Sequence, residues 1–201
     1  MEALILEETK KLTLGDITLD EPLGPRDVRI AIKTVGICGS DIHYYQHGRI
    51  GPFVVNAPMV LGHEVSGEVV AVGADVNRVQ VRDRVAVNPS RPCLHCEECL
   101  AGHSNLCKEM RFFGSAARFP HVQGAFAELF KARQDQCEVV PQDMDYAVAA
   151  CAEPLAVTLH AASQAGALLG TRVLIVGAGP IGVLLAASVR LAGATHITVT
   201  D

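Results

Sequence analysis

The sequence predicts two architectures in succession: a barrel-like, all-β domain over residues 1–145 and, over residues 146–201, the start of a parallel α/β sheet domain. Three observations predict this. The first half consists of short runs with strand periodicity, punctuated by Gly and Pro. A long aperiodic loop of Pro, Cys, His and Gly interrupts them at about residues 89–107, and a loop of that length in a compact domain is held by something other than a core. The chain then closes on a strand, a glycine-rich turn, a helix and a second strand, the unit from which parallel sheets are built.

Taken in order, Val28, Ile30 and Ile32 alternate with Arg29, Ala31 and Lys33, so a strand is expected over Val28 to Val35. The next stretch, Gly36-Ile37-Cys38-Gly39-Ser40-Asp41-Ile42-His43, groups a thiol, a hydroxyl, a carboxylate and an imidazole. It reads as a loop, with Gly36 and Gly39 letting the backbone turn sharply. Val65 to Val72 is rich in β-branched residues, and Val79 to Val87 alternates almost throughout, which predicts two more strands. Beyond Asp143 the composition turns to Ala and Val. That reads as a short helix to Ala152, interrupted by Pro154, then a second helix from about Leu155 to Ala165 that stops at Gly166. Arg172 to Val176 is a continuous apolar strand; a helix runs to about Ala192, Gly193 stops it, and Ile197 to Thr200 is the last strand.

Composition narrows the function. The apolar fraction of 49% is that of an ordinary globular core. A net charge of −5 without a basic run argues against a nucleic-acid partner. Glu2, Glu7, Glu8, Lys10 and Lys11 exclude the apolar segment of a signal peptide, and no apolar run approaches the roughly 20 residues that span a bilayer. A cytoplasmic protein without a membrane partner is expected. In that compartment the seven cysteines read as metal ligands more readily than as disulfides. Cys137 and Cys151, alone in apolar surroundings, read as small buried hydrophobes.

Cys93-x-x-Cys96-x-x-Cys99 with Cys107 shortly after puts four thiols on one loop. A structural zinc needs four closed tetrahedral ligands, and this loop supplies them; three-residue spacing makes disulfides awkward. His95 and His103 lie in the same loop but are not needed. A second metal centre is suggested by Cys38 and by His63 in Gly62-His63-Glu64. Catalytic zinc uses three protein ligands and keeps a fourth position open. The third ligand is Glu64, or Glu153 from Ala-Glu-Pro-Leu at the domain junction, where an unpartnered buried carboxylate would be costly. An exposed helix-end carboxylate is the other reading of Glu153. Asp41 is placed to accept the free N–H of a ligating His63. Gly177-x-Gly179-Pro180-Ile181-Gly182 follows a strand and opens a helix, the setting that a dinucleotide fingerprint requires. Its glycines let backbone N–H groups and the helix N-terminus meet a pyrophosphate. Asp201, at the end of the next strand, would hold the ribose hydroxyls of NAD and repel the 2′-phosphate of NADP.

These residues together resemble the zinc-dependent medium-chain alcohol and polyol dehydrogenases. Gly62-His63-Glu64-x-x-Gly67 with Gly73 is similar to that family's zinc signature, the four-cysteine loop to its structural zinc, and Gly177 to Gly182 to its cofactor fingerprint. The stretch from Gly36 to Tyr45, and Glu153-Pro154-Leu155, look like the sorbitol dehydrogenase branch; Asn88 to Ser90, Met110 to Ser115 and Phe119 to Val122 look most like the L-idonate 5-dehydrogenases. The resemblance implies a GroES-like catalytic domain and the start of a Rossmann domain. It implies one catalytic and one structural zinc, NAD as cofactor in preference to NADP, and a homo-oligomer, dimer or tetramer, when full length. It implies zinc-assisted hydride transfer from a polyol or sugar acid, best L-idonate going to 5-ketogluconate, with Ser40 taking the substrate proton and His43 passing it to solvent. Tyr44, Arg111 and Phe112 are candidate substrate contacts. Arg111 would grip a sugar-acid carboxylate in bidentate fashion, with Arg49 as its rival.

A Rossmann sheet has about six strands, and only two are present. The chain is therefore expected to be a fragment of a longer protein or a truncated product. Two other readings stand beside the first: another zinc dehydrogenase of the family, acting on sorbitol, xylitol, threonine or butanediol, and a zinc-binding module without turnover.

Overall fold

The computed structural model describes residues 1–18 and 22–201. It divides into two compact units, Met1–Ala150 and Cys151–Asp201. The first contains β1 (Glu2–Glu8), β2 (Lys11–Asp16), β3 (Asp27–Gly36), α1 (Gly39–His47), β4 (Arg49–Ile50), β5 (Phe53–Val54), β6 (Met59–Val60) and β7 (Glu64–Val72). It continues with β8 (Arg84–Val87), β9 (Ser90–Arg91), α2 (Glu97–Leu100), β10 (Arg111–Phe112), β11 (Leu129–Arg133), β12 (Cys137–Val139) and α3 (Tyr146–Ala150). The second contains α4 (Ala152–Gln164), β13 (Arg172–Val176), α5 (Pro180–Leu191) and β14 (His196–Thr200).

The first unit is built on a five-stranded antiparallel sheet in the order β11-β3-β7-β8-β12, beside a smaller sheet β2-β1-β6. Alternation along β3 and β7 sends Val28, Ile30, Val65 and Val69 inward, where each is at most 1% exposed. They pack with Val85, Phe113, Phe130 and Cys137 as one core. Ile30 lies opposite Val69 at its centre. Ile30→Ala is expected to cost about 3 kcal/mol, lost contacts plus a cavity that rigid strands cannot close; urea unfolding would measure it. Gly67 on β7 allows the two central strands to approach, because a Cβ there would strike the Ala31 carbonyl.

Three expectations change here. The alternation from Val79 to Val87 forms a strand only at Arg84–Val87. Upstream, Arg82 has φ +79°, Asp83 N–H bonds the Gln80 carbonyl, and the Asp83 carboxylate accepts from Gln80 N–H at 2.8 Å. That local turn outcompetes the ladder. The division between units falls after Ala150, a few residues beyond the expected position. α3 packs on β3 and β7, and Ser66 Oγ donates to the Tyr146 carbonyl at 2.6 Å, so α3 belongs to the β unit. Cys137 is buried, its thiol pushed up to about 12 by desolvation, but Cys151 is exposed at the N-cap of α4.

In the second unit β13 and β14 pair in parallel across α5, the βαβ arrangement read from the sequence. α4 lies on α5, joined by Thr158 Oγ1 and Ser188 Oγ at 3.0 Å. Pro154 does not interrupt a helix. It sits in the first turn of α4, where backbone N–H groups have no intrahelical acceptor, so a missing one costs nothing. Among the described residues, no helix is long and apolar enough to cross a membrane.

Candidate functional site

The stretch read as a loop after β3 is a helix. Cys38 is its N-cap, with extended backbone, and Asp41 reaches back so that its Oδ2 accepts from Cys38 N–H at 2.9 Å. This closes an orphan donor at the helix start and explains why α1 begins at Gly39. Neither Gly36 nor Gly39 adopts a positive φ. The glycine at Gly36 has another cause: it pairs across the ladder with Glu64, and a Cβ there would run into the Glu64 carboxylate.

The same pairing builds the site. β3 ends beside the start of β7, which brings Cys38 together with the adjacent His63 and Glu64 from two segments of the chain. One ligand atom from each lies within 4.8 Å of the others. His63 is buried, and Cys38 and Glu64 are half-buried. Hydrogen bonding with His63 is the largest influence on the Cys38 thiol and holds it below its ordinary range; burial opposes this, and Ser40 adds to the lowering through its hydroxyl and its N–H. The thiolate is the form that ligates metal.

Asp41 ties the two ligand segments together. It is 3% exposed; Oδ1 accepts from Gly62 N–H at 3.1 Å while Oδ2 holds Cys38. Its Oδ1 is 3.8 Å from His63 Nδ1, too far for the direct hydrogen bond expected. Asp41 therefore positions backbones on both sides of the site. Burial pushes its carboxyl up, against the lowering effect of His63 and the two N–H groups.

The remaining candidates are distributed as follows. Ser40 is half-buried and His43 exposed on α1, the His43 ring 4.5 Å from His47. Phe112 meets His63 edge-on at 5.3 Å between ring centres. Tyr44 does not face a site: it is 4% exposed, packs with Leu6, Met59 and Leu61, and its hydroxyl accepts from Ala116 N–H at 3.1 Å. Helical periodicity turns it to the core face. Arg111 is not a lone arginine beside the phenylalanines. Neighbours on a strand point to opposite faces, so where Phe112 meets His63, Arg111 turns into a cavity with Arg91, His95 and Arg133. Arg49 is turned back on its own loop, donating to the Gly51 carbonyl. Glu153 is half-buried in the first turn of α4, in the second unit.

The four thiols of the loop converge. Cys93 Sγ and Cys99 Sγ are 4.0 Å apart, and Cys96 Sγ and Cys107 Sγ 3.9 Å. Four sulfurs held at 2.3 Å around a tetrahedral ion stand about 3.8 Å apart, so the spacing fits zinc and is far too long for disulfides. Backbone N–H groups of Cys99 and Lys108 draw Cys96 down to about 6, while burial and neighbouring thiols push Cys99 up to about 12. One negative charge is welcomed and the next resisted, a conflict that a divalent cation removes.

In the second unit Gly177 has φ +106°, and α5 begins directly after Gly179 with Pro180 in its first turn. Ile181 is exposed at this end. A Cβ on Gly182 would overlap the Gly177 carbonyl, so the third glycine lets helix and turn touch. Gly182→Ala is expected to destabilise the unit by roughly 2 kcal/mol through overpacking, measurable by urea denaturation. Asp201 Oδ1 accepts from Ala178 N–H at 3.4 Å, which puts its carboxylate beside the glycine turn.

A β unit with a Cys–His–Glu cluster and a four-thiol lobe, followed by a βαβ unit with a glycine-rich turn, defines a class of metal-site proteins with a dinucleotide-type unit. Residues 24–142 match the alcohol dehydrogenase GroES-like domain. The chain is 49% identical over 172 residues to L-idonate 5-dehydrogenase (NAD(P)(+)) of Escherichia coli, covering 86% of this chain and 50% of that protein. It is 40% identical to sorbitol dehydrogenase of Bacillus subtilis over all of this chain and 56% of that one. The crystal structure of the Escherichia coli L-idonate 5-dehydrogenase matches with a TM-score of 0.93 at 44% identity, covering 100% of this chain and 57% of the other. The chain belongs to the zinc-dependent medium-chain alcohol and polyol dehydrogenase family. It spans about half the length of the curated relatives it matches.

Proposed function

We propose that this chain carries the catalytic domain, and the first part of the nucleotide domain, of a zinc-dependent dehydrogenase that oxidises a secondary alcohol of a polyol or sugar acid with NAD, best L-idonate to 5-ketogluconate. The observation that supports it most is the meeting of Cys38, His63 and Glu64 within 4.8 Å, with Phe112 against the histidine. Cys38 and His63 hold the catalytic metal with Glu64 or Glu153 as the third ligand, and Cys93, Cys96, Cys99 and Cys107 hold a structural one. When bound, zinc supplies Lewis acidity that lowers the pKa of a substrate hydroxyl, and the nicotinamide supplies the hydride acceptor.

The chain's own residues do the rest. Ser40, on the first turn of α1, accepts the hydroxyl proton at Oγ while handing on its own Oγ–H proton by way of the cofactor ribose, and His43, exposed one turn on, takes up that proton and gives one to water. Phe112 covers the histidine ligand and keeps water from it. Gly177 to Gly182 cradle the pyrophosphate, and Asp201 holds the ribose. The full-length protein assembles as a homo-oligomer, dimer or tetramer.

Asp41→Asn tests the frame of the site. An amide can no longer serve both backbone donors with charge, so zinc affinity at Cys38 and His63 is expected to fall about 10–100-fold; competition with a chelator, followed at one zinc per chain, measures it. Substrate choice is tested by kcat/KM on idonate, gluconate, sorbitol, xylitol, threonine and butanediol with NAD and with NADP. Sorbitol ahead of idonate would favour the sorbitol branch, to which the chain is 40% identical over its whole length. No turnover on any of them, with both zincs bound, would leave a zinc-binding module.

A further inference from the structure

Beside the four-cysteine lobe lies an open cavity of about 630 Å³ lined by Arg91, Cys93, His95, Glu109, Arg111 and Arg133. β9 and β10 pair so that Arg91 stands directly opposite Arg111, and like charges directly opposite on one face repel. The other pair of the ribbon, Ser90 and Phe112, faces the opposite way, with Phe112 against His63. The acidic groups nearby are already used. Glu109 pairs with Arg118 at 3.8 Å, and Asp135 accepts from Arg133 Nε at 2.9 Å. Among the described residues, the side chains of Arg91 and Arg111 have no hydrogen bond or ion pair.

We propose that Arg91 and Arg111 form an oxyanion site that takes a small doubly charged anion with phosphate or carboxylate oxygens. Each guanidinium is a planar N–H fork that matches phosphate and carboxylate geometry where an ammonium group would not, and the ribbon register sets two of them opposite each other. Bound anion offsets the cross-strand repulsion and closes the ribbon that leads into the zinc lobe. The site is separate from the hydride-transfer reading, since Arg111 and Phe112 leave their strand on opposite faces, and it stands or falls without turnover.

The test uses the zinc-loaded protein in chloride, inorganic phosphate and succinate at matched ionic strength. In phosphate, Tm is expected to rise with the logarithm of concentration, by about 3–6 °C at a tenfold excess over the dissociation constant, and the ³¹P signal to broaden. An equal response to succinate assigns the site to oxyanions in general; a response to phosphate alone narrows it to phosphates. Arg91→Gln and Arg111→Gln should each remove most of the rise while keeping the zinc of the parent protein. If either fails to fold, Arg91→Lys and Arg111→Lys keep the charge without the fork and should show a clearly smaller rise. No rise beyond chloride and no broadening in the parent protein would overturn the proposal, as would an undiminished rise in the variants. In those cases, zinc loss from the glutamine variants would mean that the arginines serve only to balance the thiolate cluster.

Discussion

Cys38→Ala is expected to lower zinc from two per chain to one and to cut kcat/KM in the full-length protein at least about 10³-fold, with Tm almost unchanged. The size follows from removing a Lewis acid that is worth several kcal/mol to the transition state. The small effect on Tm follows from position. Cys38 is half-buried at a helix N-cap, outside the apolar core, and the backbone bond from its N–H to Asp41 does not need the thiol. His63→Ala should lose the same zinc but also some stability, because His63 is 6% exposed and packed against Phe112. Metal analysis beside steady-state kinetics checks both. Two zincs and full turnover in Cys38→Ala would remove Cys38 from the site.

Cys96→Ser acts on the other cluster and should open the lobe without melting the sheet. Residues 89–107 contain almost no core: Leu94, Leu100 and Leu106 are 52%, 76% and 60% exposed, and only Cys107 among the ligands is buried. What holds such a segment is its metal, whose binding energy is its folding energy. Loss of one ligand is expected to release that zinc and to speed proteolysis within the lobe at least about tenfold, through local opening. Hydrogen exchange in β3 and β7 should stay near that of the parent protein, since their core lies elsewhere. Chelator treatment should reproduce the same pattern. An intact lobe in Cys96→Ser would mean that three sulfurs and the backbone suffice.

The contrast between these two clusters explains how much was legible beforehand. The four cysteines are close along the chain, so their spacing alone brings them to one point, and the fold adds only the sulfur distances. The glycine turn is equally local: strand, turn and helix are consecutive, and Gly182 meets Gly177 within the same turn. Local signals likewise placed four elements closely: alternation for β3, β-branched content for β7, a continuous apolar run for β13, and a glycine turn with a glycine stop for α5. It failed at Val79 to Arg82, where alternating residues were captured by a side-chain turn, and at α1, where a thiol at the N-cap gave no recognisable start signal.

Residue type and short-range spacing set which chemistry is available: a thiol, an imidazole and carboxylates that suit a metal, four thiols at ligand spacing, and a glycine-rich turn before a helix. Which of those groups meet depends on strand register and packing between distant segments. Gly36 faces Glu64 because β3 pairs with β7 in one register, Asp41 bridges Cys38 and Gly62 because α1 starts at that corner, and Arg111 parts from Phe112 because a pleated strand sends neighbours to opposite faces. The same helical turn that leaves His43 exposed drives Tyr44 into the core. Direction in space is a property of pairing and packing across distant segments, and no local pattern contains it.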